Sequence, residues 1–250
     1  EGVSFNSKEV KKGNLFIAIK GLRNDGHEFV SEAIKKGANF CVVSKNIKVK
    51  NKSYLIKCNN TINFLYNLAF SKRSHSKAKV IAVTGSSGKT TVKTLLGKIL
   101  KVFGDTYYSP KSFNNHYGVP FSLSNLENSH KFGVFEIGMD KKGEIDYLSK
   151  IIEPSIGVIT NINYAHAKNF KNIKQIALAK SEIINNIRPN GFVVLNADDN
   201  FFRLHQKIAK EKNLKIISFG IKSAKANIKL IDIKSSGKKF KINISFNNKK

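Results

Sequence analysis

The stretch "TGSSGKTT", residues 84–91, crowds glycines and hydroxyl side chains around a single lysine. That mixture suits phosphate. Glycines let the backbone come close to a ligand, a lysine neutralises phosphate oxygens, and a threonine hydroxyl is a magnesium ligand. Thr84, Gly85, Ser86, Ser87, Gly88, Lys89, Thr90 and Thr91 are therefore the candidate nucleotide-binding residues. The general phosphate-loop signature places glycine at position 83, where this chain has Val83, so the loop here is the tighter T-G-x-x-G-K-T.

Other residues could join that chemistry. Glu136 interrupts the apolar run "GVFEIG" (133–138), and a buried carboxylate must be paired or bound to a cation. Beside a phosphate loop, the expected cation is magnesium; the alternative is a neighbouring lysine. His166, in "NYAHAK", follows an apolar run and could ligate a cation or touch phosphate. Lys180 falls in the middle of the stripe Ile173, Ile176, Ile183, Ile184 and Ile187. It either snorkels to solvent or is a partly buried amine whose charged form is disfavoured. Such an amine could bind phosphate or react with carbon dioxide to give a carbamate. Asn114 and Asn115, in "PKSFNNHYGVP", could line the same cleft.

The elements that would hold these residues can be read from apolar spacing. Val80 to Val83 predicts a buried strand. Val92, Leu95, Leu96, Ile99 and Phe103 predict one helix face, with Gly104 as its stop. Further strands are expected at 133–138, 155–162, 191–197 and 214–220, with helical segments between them. The class is therefore α/β with a mainly parallel sheet. Upstream, "NLFIAIKG" (14–21) and "NFCVVSK" (39–45) predict strands around a helix at 28–38, and the polar "SKRSHSKAK" (71–79) reads as a linker. Residues 226–250 alternate around "SSGK", which predicts an antiparallel hairpin.

With 44 Lys+Arg against 17 Asp+Glu, the net charge is +27. Nucleic acid is not the expected partner, because the lysines are spread out, arginines are few, and no basic stretch is interleaved with aromatics. The excess should still draw anionic ligands. No apolar run is long enough for a membrane span. Cys41 and Cys58 lack metal-type spacing and are expected as buried or free thiols in a reducing compartment.

Taken in order, "GNLFIAIKG", "DGHEF", "TGSSGKTT", "KSFNNHYGVP", "EIGMDKKGEI", "TNINYAH", "AKSEI" and "LNADD" resemble the Mur ligases over nearly all 250 residues. The resemblance implies a small N-terminal α/β domain (1–78) that binds a UDP-linked substrate, and a P-loop ATPase domain (79–250), incomplete at its C-terminal end. It implies a monomeric, cytoplasmic, ATP-dependent amide ligase of peptidoglycan precursor synthesis. The implied substrates are UDP-N-acetylmuramoyl-tripeptide and D-alanyl-D-alanine, joined through an acyl phosphate. Two magnesium ions are implied, one on Thr90 and Glu136, the other on His166 and a carbamylated Lys180. Lys89, Asn114, Asn115, His166 and Lys180 would serve catalysis, and Ser7 and Lys8 the uridine diphosphate. Asn6 and Lys8 stand where the family has Asp and Arg, and lysine lacks the planar arginine fork. The family's G-x-H-N-x-x-N segment does not occur here, so the chain is expected to bind nucleotide weakly and not to turn over alone. A related ligase such as folylpolyglutamate synthetase, or a basic nucleic-acid-binding NTPase, is the alternative.

Overall fold

The structure is a computed structural model that describes residues 2–21, 24–164, 169–237 and 239–247. It holds two sheets. The first contains β1 (Val3–Ser4), β2 (Leu15–Ile17), β3 (Phe40–Val43) and β4 (Leu55–Lys57), in that order and all parallel. A short 3-10 turn leads into α1 (Val30–Lys35), and α2 (Thr61–His75) comes after β4. Within "DGHEF", Asp25 Oδ1 lies 2.6 Å from His27 Nδ1, and the Ser44 amide donates to His27 Nε2 at 3.0 Å. His27 is buried, so this triplet braces the first unit's interior.

The second sheet begins with β5 (Lys79–Thr84), α3 (Lys89–Leu100), β6 (Thr106–Tyr108), α4 (Gly118–Ser124) and β7 (Phe132–Glu136). It continues with α5 (Glu144–Ile152), β8 (Ile156–Ile159), α6 (Ile173–Asn185), β9 (Phe192–Asn196), α7 (Phe202–Glu211) and β10 (Lys215–Gly220). The hairpin β11 (Ile228–Ser236) and β12 (Lys239–Phe246) closes one edge. The order is β12-β11-β10-β9-β8-β5-β7-β6, parallel throughout except β11 against β12. Strand β5 lies between β7 and β8, and the chain crosses β5 to pass from one to the other. Its carboxyl end is thus a topological switch point, where open α/β sheets bind ligands. Alternate β5 residues explain its unbroken apolar run. Val80 and Ala82 pack into the cluster with α4, α5 and α6, while Ile81 and Val83 pack against Val92, Leu96 and Leu100 of α3.

Two readings of the sequence need correction, and one strand escapes it. Residues 71–75 are not linker but the last turn of α2. Arg73 is 1% exposed and donates to the carbonyls of Ile152 (2.6 Å), Glu153 (2.9 Å) and Ser76 (3.2 Å). Its charged head is taken up by the carboxyl end of α5, so polarity here does not mean exposure. The α3 face is also rotated: Leu95, Ile99 and Phe103 are exposed, whereas Lys93 and Gly97 are buried. Finally, β6 is a strand of only "TYY", too short for periodicity to reveal.

Candidate active site

The loop between β5 and α3 is braced from below by the residues after β8. Thr160 Oγ1 donates to the Ser87 carbonyl at 2.6 Å, and Asn161 Oδ1 accepts from the Ser87 amide at 3.1 Å. Ser86 Oγ donates to the Asn163 carbonyl at 2.9 Å. A Cβ on Gly85 would collide with Thr160 Oγ1, and Gly85 has φ +143°, so no other residue fits there. Gly88, at φ +78°, opens α3. The Thr84 hydroxyl donates to the Ile137 carbonyl at 3.0 Å. Ser87 Oγ donates to Asn161 Oδ1 at 3.1 Å. The hydroxyls of Thr84, Ser86 and Ser87 therefore serve the loop's own shape, and the first-turn amides of α3 are its donors toward a ligand. Lys89 curls back over the loop, with Nζ 2.9 Å from the Gly85 carbonyl and 3.4 Å from that of Ser86. Burial lowers its pKa, and the charge of Glu136 opposes that shift.

Register sets the next residue. Val83 pairs with Glu136 across β5 and β7, which brings the carboxylate to the loop's mouth. Glu136 is 1% exposed. It accepts from Thr90 Oγ1 at 2.8 Å and from Asn114 Nδ2 at 2.7 Å. Ser112 Oγ lies 3.3 Å from Thr90 Oγ1. Among the described residues no lysine makes a direct ion pair with Glu136, although its charge is felt by Lys89 and Lys93. A buried anion flanked by hydroxyl and amide groups is a hard-oxygen donor set. It fits magnesium, which takes one or two carboxylates and completes its shell with water and substrate phosphates. No group of three or more His, Cys, Asp or Glu side chains that could hold a metal occurs among the described residues.

Lys180, on α6, is 1% exposed, so its amine does not snorkel. Burial first, and then the charge of Lys89, push its pKa down to about 7. Among the described residues it has no ion-pair partner. His166 lies outside the described residues. Asn115 spends its Oδ1 on the amides of Gly118 (2.9 Å) and Tyr117 (3.2 Å), at the start of α4, which leaves its NH₂ as the group able to meet a ligand.

Two cavities, each about 720 Å³, meet at Asn115. One is lined by Lys89, Thr90, Asn114, Glu136, Lys141 and Tyr147. The other is lined by Asn6, Ser7 and Lys8 from the first unit and by Phe113 and Tyr117 from the second. Ser7 is buried and donates its hydroxyl to Glu32 Oε2 at 2.9 Å, while Lys8 is exposed.

Residues 83–250 match the Mur ligase middle domain, and residues 1–85 match the Mur ligase family catalytic domain. The chain belongs to the Mur ligase family. The UDP-N-acetylmuramoyl-tripeptide–D-alanyl-D-alanine ligase of Rickettsia prowazekii is 40% identical over 248 residues, covering 99% of this chain and 55% of that protein. The crystal structure of MurF from Acinetobacter baumannii superposes with a TM-score of 0.82 at 32% identity, over 98% of this chain and 52% of that one. The MurF ligase of Thermotoga maritima, solved in complex with ADP, gives 0.79 at 29% identity, over 99% and 56%. The chain spans about half the length of the curated relatives it matches.

Several residues of this Mur ligase chain escape the sequence reading. Thr160 and Asn161 brace the loop; a hydroxyl and an amide directly beyond an apolar strand were the available signal. Lys93, one turn beyond Lys89, sits beside an apolar stripe and gives no periodic sign of its burial.

Proposed function

We propose that this chain supplies the substrate-binding and ATP-binding parts, residues 1–78 and 79–250, of a cytoplasmic, monomeric UDP-N-acetylmuramoyl-tripeptide–D-alanyl-D-alanine ligase. The observation that carries this reading is the junction of Thr90, Glu136 and Asn114 at the mouth of the phosphate loop. Its relatives' names supply the substrates. Among the described residues no helix is long and apolar enough to cross a membrane.

On this reading the α3 amides and Lys89 receive the ATP phosphates, and Lys89 gives up its loop carbonyls to do so. Thr90 and Glu136 hold one magnesium ion, which offsets charge on the transferred phosphoryl group when bound. Asn114 keeps the Glu136 carboxylate oriented, and the free NH₂ of Asn115 faces the phosphoryl acceptor. The peptide carboxylate accepts the phosphoryl group, and the dipeptide amine displaces phosphate from the acyl phosphate. Lys180, as the carbamate, and His166 serve a second magnesium. The anchor for uridine diphosphate is the cavity beside Lys8, with Ser7 contributing backbone and shape because its hydroxyl is held by Glu32.

Calorimetry with ADP and magnesium tests this reading. Lys89→Ala should weaken binding by at least about 100-fold, the scale of losing a buried cation from a phosphate, with little change in the thermal melt. Unaltered affinity would remove the loop from the mechanism.

A further inference from the structure

Lys93 is the residue of α3 that sequence spacing least explains. It is 1% exposed, on the packing face, where leucine would bury without penalty. No carboxylate makes a direct ion pair with it among the described residues; Glu136 acts on it only through its charge. Its Nζ donates instead to two backbone carbonyls, Ser109 at 2.7 Å and Lys111 at 2.5 Å. Both belong to the segment that leaves β6. Lys111 has φ +47°, a left-handed conformation that is uncommon for lysine and turns the chain sharply.

That turn delivers the chain directly into the site. Ser112 reaches Thr90, and Asn114 reaches Glu136. The Asn114 carbonyl accepts from the Gly138 amide at 2.8 Å, just past β7. Lys93 therefore ties the helix that carries Lys89 and Thr90 to the segment that carries Ser112 and Asn114. We propose that Lys93 is a positioning residue: it holds the 109–115 segment against α3 and so sets the Thr90–Glu136–Asn114 geometry on which cation-assisted nucleotide binding depends. This rests on the ATP reading above. Lys93 itself touches no ligand.

The test uses the 250-residue chain with Lys93→Met, which keeps length and loses the donors, and Lys93→Arg, which keeps a cation. In the ligand-free protein, amide exchange in 109–115 should quicken about 10-fold in the Met variant and stay unchanged elsewhere. In calorimetry, ADP affinity without magnesium should stay within about 2-fold of wild type, while the gain on adding magnesium chloride falls about 10-fold, the usual size of a supporting-residue effect. The Arg variant should recover part of both. A folded Met variant with wild-type exchange and wild-type magnesium gain overturns the proposal. So does a parallel fall of both affinities with faster exchange throughout the chain, because Lys93 would then only stabilise the fold. Should Lys93→Met not fold, Lys93→Gln is judged by the same two measurements. A wild-type chain indifferent to magnesium sinks the Glu136 assignment instead. The exchange measurement tells that failure apart, since it needs no ligand.

Discussion

A lysine amine buried in an apolar helix face makes stability depend on pH, and the sign can be worked out. Lys180 titrates near 7 in the folded chain and near 10.5 when unfolded. Below pH about 7 both states hold the proton, and folding bears the whole cost of the buried charge. Between 7 and 10.5 the unfolded chain binds more protons, so stability rises with pH, by at most about 1.4 kcal/mol per unit. Lys89 and Lys93 are shifted in the same direction by burial, so they add to the slope. In carbon dioxide-free buffer, urea unfolding of wild type should show stability climbing from pH 7 to pH 9. Lys180→Met should be more stable at pH 7, by on the order of a few kcal/mol, and should flatten most of that climb. Identical slopes would mean that Lys180 is solvated in the folded chain. Lys180 was legible in the sequence because five isoleucines frame it at helical spacing. Lys93 was not, because the stripe beside it is already complete without it.

At the scale of elements, α3 shows how far an apolar pattern can mislead. Its sequence has more apolar residues than the sheet can cover, and the face that packs is chosen by Gly97. A Cβ there would collide with the Tyr108 ring, so the glycine lets α3 press onto β6. Leu95 and Ile99 consequently face outward. Gly97→Ala gains about 1 kcal/mol of helix propensity but must displace Tyr108, which precedes the Ser109 carbonyl held by Lys93. The net effect should be a loss of roughly 1–3 kcal/mol, as for other overpacked sites, read as a lower Tm. A rise in Tm would show that β6 yields freely. The strands at the centre of the sheet were readable because they are apolar on both faces. β6 was not, being three residues at an edge. The loop was readable because its parts are contiguous, whereas its brace at Thr160 and Asn161 comes from a strand end more than seventy residues away.

Across the whole molecule, two features join the sheets. One is α2, whose Leu65 packs with the first sheet and whose Ala69 packs with the second, and whose last turn carries Arg73 onto the carbonyls at the end of α5. Arg73→Ala leaves three carbonyls without that donor and should cost roughly 2–4 kcal/mol. Lysine should rescue little, since one ammonium cannot match the spread of a guanidinium. A denaturant midpoint unchanged by either substitution would make the contact incidental.

The second joining feature is residues 112–118, which form the wall between the two cavities. Ser112, Asn114 and His116 face the cavity of Glu136, while Phe113 and Tyr117 face the cavity of Lys8, and Asn115 borders both. Tyr66 of α2 anchors this wall by donating to the His116 carbonyl at 2.8 Å. One short looped segment therefore borders two sites, and we expect a ligand that orders one face to order the other. On the proposed function, UDP-N-acetylmuramoyl-tripeptide and ADP with magnesium should then raise each other's affinity, and by linkage the two factors must be equal, on the order of 5-fold or more. Calorimetry in both orders of addition measures them. Tyr66→Phe, which frees the His116 carbonyl, should shrink the coupling while leaving each separate affinity nearly intact. Two ligands that bind independently in wild type would show the wall to be rigid, and the cavities to be neighbours without communication.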